Sequence, residues 1–578
     1  MHFQGKAKVH KMNRELLLAY VEDTEGIEFV KDLAGSKLHE KEHPLFLFEC
    51  QFTVDGKKIP VTLLISKWFP QHLPLFYLPK YDHLGFLPHI EPSGQICYLE
   101  KESVYVNREE PKAVFQASAE LAMQTLRHGL SGKRKGDFRE EFHVFWERNK
   151  FRVPLRVVSF IDVGEEPKKI QLLKNQKKVI VFDTNKDIER QKRAHFQNGA
   201  TMSKSGIYIP LRLDCDLVPP KYDQRWTIDD FVNWLKPQIS SEHWETLTKS
   251  ILYKKPTRFE YLLLGIPRET GSTILIGVHL KPKKDTPYPL LEKETGWGLD
   301  LLTISRLDDA AFLPRGGARM ELQNKSVLLV GCGSVGSHIA LNLAKMGVGK
   351  LSLVDKDTLN LENIQRFAIG FDYSLKPKVR ALKEFIEKNY LKTLAIAHES
   401  TIESLIDKED TFLANFDLII SATGDTTINM YLNQACRKQG TSLLVAWNEP
   451  YSLGGHAQLS ISPQKGCYKC LFRELYNIAS FAAKDQPKPF HKKHLGCGEV
   501  YTPYNALDSI RTSEITSRLS VSFLSGEVKL PQIVSWKGNS ADFTSNGFAL
   551  STRYQNQTLE QLEELKQTFL NPECTHCG

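Results

Sequence analysis

Several stretches of this chain place chemically capable residues at informative spacings. The first is Val327-Leu328-Leu329-Val330-Gly331-Cys332-Gly333-Ser334-Val335-Gly336, an apolar strand running into a glycine-rich turn. Ile339, Leu343 and Met346 then recur at helical spacing. Gly331 and Gly333 let the backbone turn tightly and approach a phosphate, and Gly336 lets helix and strand pack closely. The helix N-terminus offers unpaired N–H groups to an anion. A second apolar strand, Leu351 to Val354, ends at Asp355, whose carboxylate reaches a ribose hydroxyl in such units. The stretch therefore predicts a nucleotide-binding βαβ unit. A dehydrogenase would satisfy the pattern equally well.

The residues behind Asp355 separate these options. Asp355-Lys356-Asp357 is followed by Asn363-Ile364-Gln365-Arg366, by Lys376-Pro377-Lys378 and by Ser421-Ala422-Thr423-Gly424-Asp425. Hydride transfer needs no extra cations and no further acid around its nucleotide. Cleavage of ATP at the α-phosphate needs both, because negative charge accumulates there and a magnesium ion must be held. In this order the set resembles the ubiquitin-activating E1, ThiF and MoeB adenylating family. The resemblance implies Asp355 as the ribose ligand and Asn363, Arg366 and Lys378 as phosphate contacts. It implies Asp425, after the predicted strand Leu418 to Ala422, as the magnesium-linked acid, with ATP and Mg2+ as cofactors.

Cys467-Tyr468-Lys469-Cys470 and Cys574-Thr575-His576-Cys577 are two Cys-x-x-Cys pairs. Each can grip a tetrahedral zinc ion with two thiolates, and together they complete a closed structural site. The family uses such pairs to pin its C-terminal segment. Apart from these four, Cys497 is flanked by Gly496 and Gly498 and preceded by His491, Lys492, Lys493 and His494. Nearby positive charge lowers a thiol's pKa toward the working pH. Cys497 thus looks like the E1 thioester cysteine, although a plain loop cysteine or an extra zinc ligand fits the same residues.

Residues 1–150 supply a second cysteine loop. A helical stretch is predicted around Asn13 to Leu33, then a strand with Phe46, Phe48, Cys50, Phe52 and Val54 on one face. Asp55-Gly56 marks a hairpin turn, Ile59 to Ile65 the return strand, and Pro111 the start of a helix with Val114, Ala117 and Leu121 inward. Cys50 reads as core. Between hairpin and helix, Leu87-Pro88-His89 precedes Gly94-Gln95-Ile96-Cys97. This order resembles a ubiquitin-conjugating E2 domain, which implies Cys97 as its thioester cysteine. His89 stands where the family keeps an asparagine that supports the oxyanion, and an imidazole N–H can donate a comparable hydrogen bond.

These parts need a frame. The chain has 578 residues, 41% hydrophobic and 25% charged, which suits an ordinary globular protein of several domains. A net charge of +8 at this length makes no case for a nucleic-acid substrate. No apolar run reaches the length of a membrane span, and the first 30 residues lack a signal peptide's apolar core. Ten cysteines with two Cys-x-x-Cys pairs suit a reducing, cytoplasmic setting. The expected division is an α+β E2-like domain at 1–150, an α/β connecting domain at 151–310 and a Rossmann-like ThiF/E1 adenylation domain at 311–578. In the middle part, Val179 to Phe182, Gly206 to Leu213, Phe259 to Gly265 and Ser272 to His279 read as strands, and Thr227 to Asp230 as a capping box.

Before the glycine turn, Arg306, Arg315 and Arg319 lie where family members send an arginine into a partner subunit's ATP site, which implies a homodimer through the E1-like part. The N-terminal E2-like and C-terminal E1-like order is similar to the bacterial E2–E1 fusions of CBASS anti-phage systems. That family implies a relay: adenylation of a protein C-terminus, capture on Cys497, transfer to Cys97 and delivery to a target lysine amine. Successive acyl transfers split one hard amide synthesis into easier steps. The family's acyl donor is a cGAS-like nucleotidyltransferase (a CD-NTase), primed by conjugation. Two other classes stay open. A ThiF/MoeB-like enzyme would adenylate a sulfur-carrier protein with Cys97 dispensable, and a scaffold would keep the folds without the chemistry.

Overall fold

The computed structural model describes residues 12–33, 44–79, 84–99, 106–132, 136–174, 178–183, 202–214, 217–253, 255–390, 392–473, 476–483, 489–493 and 500–577. Described residues up to Leu307 form one compact unit and those from Asp308 onward a second. No helix among the described residues is long and apolar enough to cross a membrane.

The first unit begins with a four-stranded antiparallel sheet, β1 (Ile27–Asp32), β2 (Pro44–Val54), β3 (Lys57–Ser66) and β4 (Leu75–Tyr77), in that order. Val54 pairs with Lys57 across a two-residue turn in which Asp55 (φ 49°) and Gly56 (φ 76°) are both left-handed. That geometry matches strand twist and explains why Asp-Gly closes the hairpin. Phe48, Cys50, Phe52 and Val54 are buried on one face, and burial pushes the Cys50 thiol up to about 12.

Two sequence expectations need correction here. The helix expected over Asn13 to Leu33 spans only Arg14–Glu22, capped by the Asn13 side chain, and Ile27 onward is strand. The chain turns at Gly26 (φ 84°), where a Cβ would meet Met123 Sδ at 2.9 Å. The helix Pro111–Leu130 buries Phe115, Ala119, Ala122 and Leu126 rather than the neighbouring stripe, and Ala117 is exposed. Both stripes have helical spacing. The inner face also carries Ser118 and Thr125, whose hydroxyls bond the carbonyls of Val114 (2.7 Å) and Leu121 (2.9 Å) and so tolerate burial.

The middle of the chain holds a closed barrel of β5 (Arg152–Ser159), β6 (Lys168–Lys174), β7 (Lys178–Asp183), β8 (Met202–Pro210), β9 (Phe259–Pro267), β10 (Thr273–Lys281) and β11 (Gly298–Arg306). Their order is β10-β11-β5-β7-β6-β8-β9. Three of the pairings, β11 with β5, β5 with β7 and β8 with β9, are parallel. Closure leaves no open edge, and this is what the strand-by-strand reading of the sequence did not foresee. The helix Phe142–Arg148 is held on the barrel by Trp146, whose indole N–H donates to the Leu302 carbonyl at 3.1 Å. Thr227 and Asp230 form the reciprocal capping box of the helix Ile228–Leu235.

The second unit is built on a seven-stranded sheet. It contains β12 (Ser326–Val330), β13 (Lys350–Val354), β14 (Leu394–His398), β15 (Leu418–Ser421), β16 (Leu443–Asn448), β17 (Gly454–Ser460) and a last strand, Gln532–Lys537. The order is β14-β13-β12-β15-β16-β17-last. The first five strands run parallel, β17 runs antiparallel to β16, and the last strand is antiparallel to β17 in turn. Val327, Leu328 and Leu329 are fully buried, as strands covered on both faces must be. From β12 the chain moves outward through β13 and β14, then returns to add β15 on the other side. The strand order thus reverses between β12 and β15, and parallel sheets bind ligands at the carboxyl ends of such a switch.

Candidate active sites

At that switch Gly331 (φ 86°) passes against β15. A Cβ there would lie 2.8 Å from the backbone of Ala422 and Thr423. Gly333 caps the helix Ser334–Lys345, and a Cβ on Gly336 would sit 1.9 Å from the Gly331 carbonyl oxygen. The turn therefore needs glycine at both 331 and 336. We expect Gly336→Ala to cost about 1–3 kcal/mol by overpacking, seen as an earlier urea midpoint.

Asp355 follows β13 and is tied to the turn. Its carboxylate accepts from the Cys332 and Asp357 N–H groups, each at 2.8 Å. Lys378 begins the helix Lys378–Asn389, and its Nζ lies 3.0 Å from Asp357 Oδ2 and 3.8 Å from Asp355 Oδ1. The Lys378 side chain is only 12% exposed, so this ammonium is presented inward rather than solvated. Asp425 caps the helix Thr426–Lys438, its Oδ1 accepting from Thr427 N–H (2.7 Å) and Ile428 N–H (3.2 Å). Gly333, Asp355, Lys378 and Asp425 line one cleft, with Ile402 and Ile428 as its apolar wall. Sequence reading missed Asp357, Ile402 and Ile428. Asp357 stood beside Asp355, but only the fold aims it at Lys378.

Arg366 belongs to an adjoining cleft, with Trp447, Asn448, Tyr468 and Tyr504. Its guanidinium stands 5.0 Å from the Tyr504 ring centroid. Tyr504 Oη and Ser334 Oγ are hydrogen-bonded at 2.8 Å, which ties this wall to the start of the glycine-turn helix. The two clefts share Gly333, Ala422 and Thr423. Asn363 lines neither of them. It sits in the 3-10 turn Leu361–Arg366 with its N–H on the Asn360 carbonyl. Of the three arginines, Arg306 donates to the Thr273 carbonyl and Arg319 pairs with Glu527. Arg315 is exposed in the turn Pro314–Gly316, without an ion pair among the described residues.

Cys467, Cys470, Cys574 and Cys577 are buried, and their sulfurs all lie within 4.8 Å of one another. Zinc–sulfur bonds of about 2.3 Å place tetrahedral sulfurs roughly 3.8 Å apart, and Cys467–Cys574 and Cys470–Cys577 measure 3.7 and 3.4 Å. Asn433 Nδ2 donates to Cys467 Sγ (3.6 Å) and the Gly466 N–H to Cys577 Sγ (3.5 Å), bonds suited to thiolates. The four residues fit a tetrahedral metal. Cys497 and His494 lie outside the described residues.

In the first unit the Cys97 loop is laced onto β4. Leu78 N–H donates to Gly94 O (2.8 Å), Ile96 N–H to Phe76 O (2.9 Å) and Cys97 N–H to His89 O (2.8 Å). Gly94 (φ 84°) makes this possible, since a Cβ there would fall 2.3 Å from the Leu78 carbonyl oxygen. His89 is also left-handed (φ 59°). Its Nε2 lies 2.7 Å from Asp137 and its Nδ1 2.8 Å from Glu141. Burial alone would lower its pKa, but the hydrogen bonds and charges of Glu141 and Asp137 prevail and raise it. This corrects the oxyanion expectation for His89: carboxylates occupy both ring nitrogens, leaving no N–H to offer. The ring instead locks the loop to the segment Asp137–Glu141.

Cys97 is half-buried, and its thiol donates to Glu91 Oε1 at 3.5 Å. The same oxygen lies 2.8 Å from Arg148. Burial first, then the charge and hydrogen bond of Glu91, push the thiol up to about 12, against the pull of Arg148. Neither Glu91 nor Arg148 was singled out in the sequence: 51 residues separate Cys97 from Arg148, and Glu91, six residues before Cys97, is turned to the thiol only by the fold of the loop.

Comparison with known proteins follows this division. The ThiF family model matches residues 309–507, and the model for prokaryotic E2 family B matches residues 28–153. The chain is 24% identical over 457 residues to the ATP-dependent ubiquitin transferase-like protein Cap2 of Pseudomonas aeruginosa, covering 76% of this chain and 80% of that one. It is 22% identical over 531 residues to the protein of the same name from Vibrio cholerae, covering 81% of this chain and 86% of that one. A crystal structure of E. coli MccB with MccA-N7isoASN aligns over 45% of this chain and 68% of that chain at 17% identity, with a TM-score of 0.33, too low to carry an argument. The chain joins a prokaryotic E2 family B domain to a ThiF-family domain, and is an E2–E1 fusion.

Proposed function

We propose that this protein uses ATP to activate the C-terminal carboxylate of a partner protein and passes the acyl group from Cys497 to Cys97 and on to a lysine amine. The observation that carries this reading is the pair of clefts meeting at Gly333, Ala422 and Thr423. A nucleotide in the first, its ribose on Asp355, brings its α-phosphate to the glycine turn, beside Lys378. The second cleft, with Arg366, then receives the carboxylate. The carboxylate attacks the α-phosphorus and pyrophosphate leaves. Lys378 and Arg366 offset the charge that develops, and Asp425 would hold the Mg2+ that neutralises the phosphates. A thiolate at Cys497 displaces AMP, the thiol of Cys97 displaces Cys497, and the amine displaces Cys97.

The parts 1–150, 151–310 and 311–578 serve as conjugating, connecting and adenylating domains. The four-cysteine cluster holds structural zinc. Arg315, exposed and without an ion pair among the described residues, is the arginine sent to a second copy of the chain in a homodimer. The relatives' name, ubiquitin transferase-like, supports the conjugation chemistry, and the resemblance to CBASS E2–E1 fusions supports reading the partner as a cGAS-like nucleotidyltransferase, primed in the cytoplasm for anti-phage defence.

The test is intact mass and non-reducing electrophoresis after mixing the protein with Mg-ATP and a cGAS-like nucleotidyltransferase from the same organism. Wild type should form thiol-sensitive adducts and then conjugate. Cys97→Ala should stall with the adduct on Cys497, and Cys497→Ala should stop at the adenylate. Full conjugation by either variant would remove that cysteine from the relay. Adenylate with no thioester in wild type would favour a sulfur-carrier adenylyltransferase, and no ATP turnover a scaffold.

A further inference from the structure

Cys97 does not stand in the electropositive surroundings that make a resting thiolate. Its Sγ faces the Glu91 carboxylate at 3.5 Å, and Glu91 Oε1 is held at 2.8 Å by Arg148. Glu141 adds a second negative charge near the sulfur, while Arg148 is the opposing cation. Among the described residues Tyr222 is a further titratable group near it, and burial keeps that phenol neutral with its pKa above the usual range. A thiol so placed stays protonated, and acyl transfer onto it needs an acceptor for the proton.

We propose that Glu91 is a catalytic residue, the proton acceptor for Cys97, and that Arg148, at the end of the helix packed on the barrel, is the residue that positions it. The inference rests on the reading of Cys97 as the acyl-accepting thiol. As the Cys97 sulfur attacks a thioester carbonyl, its proton passes to Glu91. The new C–S bond forms, the bond to the donor sulfur breaks, and Glu91 returns the proton to the departing thiolate. When an amine attacks, the same carboxylate takes the amine's proton and Cys97 leaves with it. Glu91 is suited to this shuttle because Arg148 fixes one oxygen against the sulfur. The two residues come from different structural layers: Glu91 from the loop above β4, Arg148 from the helix that Trp146 fastens to the barrel. The barrel thereby helps to place a residue of the E2-like part at Cys97.

The test compares two rates at Cys97 in a Cys497→Ala background. Alkylation by iodoacetamide, followed on the Cys97 peptide at pH 8, reports the standing thiolate. Loading from a glycine-terminated peptide thioester of mercaptoethanesulfonate, followed by intact mass, reports transfer with proton removal. Removing a neighbouring negative charge lowers a thiol's pKa, so Glu91→Gln should speed alkylation about tenfold. It should slow loading about a hundredfold, within the range of general-base contributions. Arg148→Gln should slow alkylation, and Glu91→Asp should restore part of the loading. A Glu91→Gln protein in which both rates fall together, or in which neither changes, would overturn the proposal. The alkylation comparison reports the Glu91–Cys97 pair even if Cys97→Ala retains full conjugation. Failure of the relay and failure of this assignment are therefore separable.

Discussion

Asp425→Asn should reduce ATP–pyrophosphate exchange by about a thousandfold while leaving the fold intact. The contrast comes from the two tasks of this side chain. Its Oδ1 caps a helix through the N–H groups of Thr427 and Ile428, a role asparagine performs as well as aspartate. Its negative charge is the proposed anchor for Mg2+ in the cleft that contains Asp355 and Lys378, and asparagine cannot replace that. A metal or oxyanion contact made as charge develops is worth about 3–4 kcal/mol, hence the size of the loss. Asp425→Ala should lose the same activity and about 1 kcal/mol of stability besides, because the cap disappears. Thermal melting and exchange kinetics on the two variants separate these effects. If Asp425→Asn keeps more than a tenth of wild-type exchange, the residue is a helix cap and nothing more.

The second large effect is expected at the cysteine cluster. Purified protein should carry one zinc ion per chain, and Cys574→Ser with Cys577→Ser should abolish it. The cluster joins two segments 107 residues apart in the chain, and Phe569, Cys574 and Cys577 pack with Cys467, Tyr468 and Leu471 in one buried group. Four thiols brought together without a metal would leave buried sulfur groups crowding one another. With the metal, binding free energy becomes folding free energy. Structural zinc in small peptides is worth about 10–16 kcal/mol, an upper bound here because the surrounding core holds part of the geometry already. A loss of about 4 kcal/mol corresponds to a melting-temperature drop of roughly 10 °C for a domain of this size. Metal analysis by mass spectrometry and a melt with and without chelator check both halves. A protein that lacks metal and melts unchanged after the double substitution would exclude a structural ion.

The same residues show how far a chain can be read before it is folded. Gly331, Gly333, Gly336 and Asp355 were legible because their spacing is local: one strand, one turn, one helix and the next strand. Backbone sterics restrict positions 331 and 336 to glycine. Asp425 and Lys378 were legible by order along the chain, and the parallel sheet does bring both to one cleft. The Asp-Gly hairpin and the Thr227 capping box were legible for the same local reason.

What lay beyond the sequence was every relation set by packing between distant segments. Asn363 and Arg366 are three residues apart in one 3-10 turn, yet of the two only Arg366 lines either cleft, a difference set by the segments packed around the turn. The helix Pro111–Leu130 could bury either of two adjacent stripes, and the sheet it covers made the choice. Four of the seven strands in the middle of the chain could be marked, but the closure of all seven into a barrel with parallel pairs depends on pairings that local propensity does not encode. His89 was placed by motif at the right loop, but Asp137 and Glu141, about 50 residues on, take its two nitrogens and change its role. Glu91 and Arg148 meet at Cys97 for the same reason. By itself the sequence determined the local geometry of both loops and the order of the charges. The tertiary structure alone decided which charges face one another, because that depends on how layers far apart in the chain are stacked.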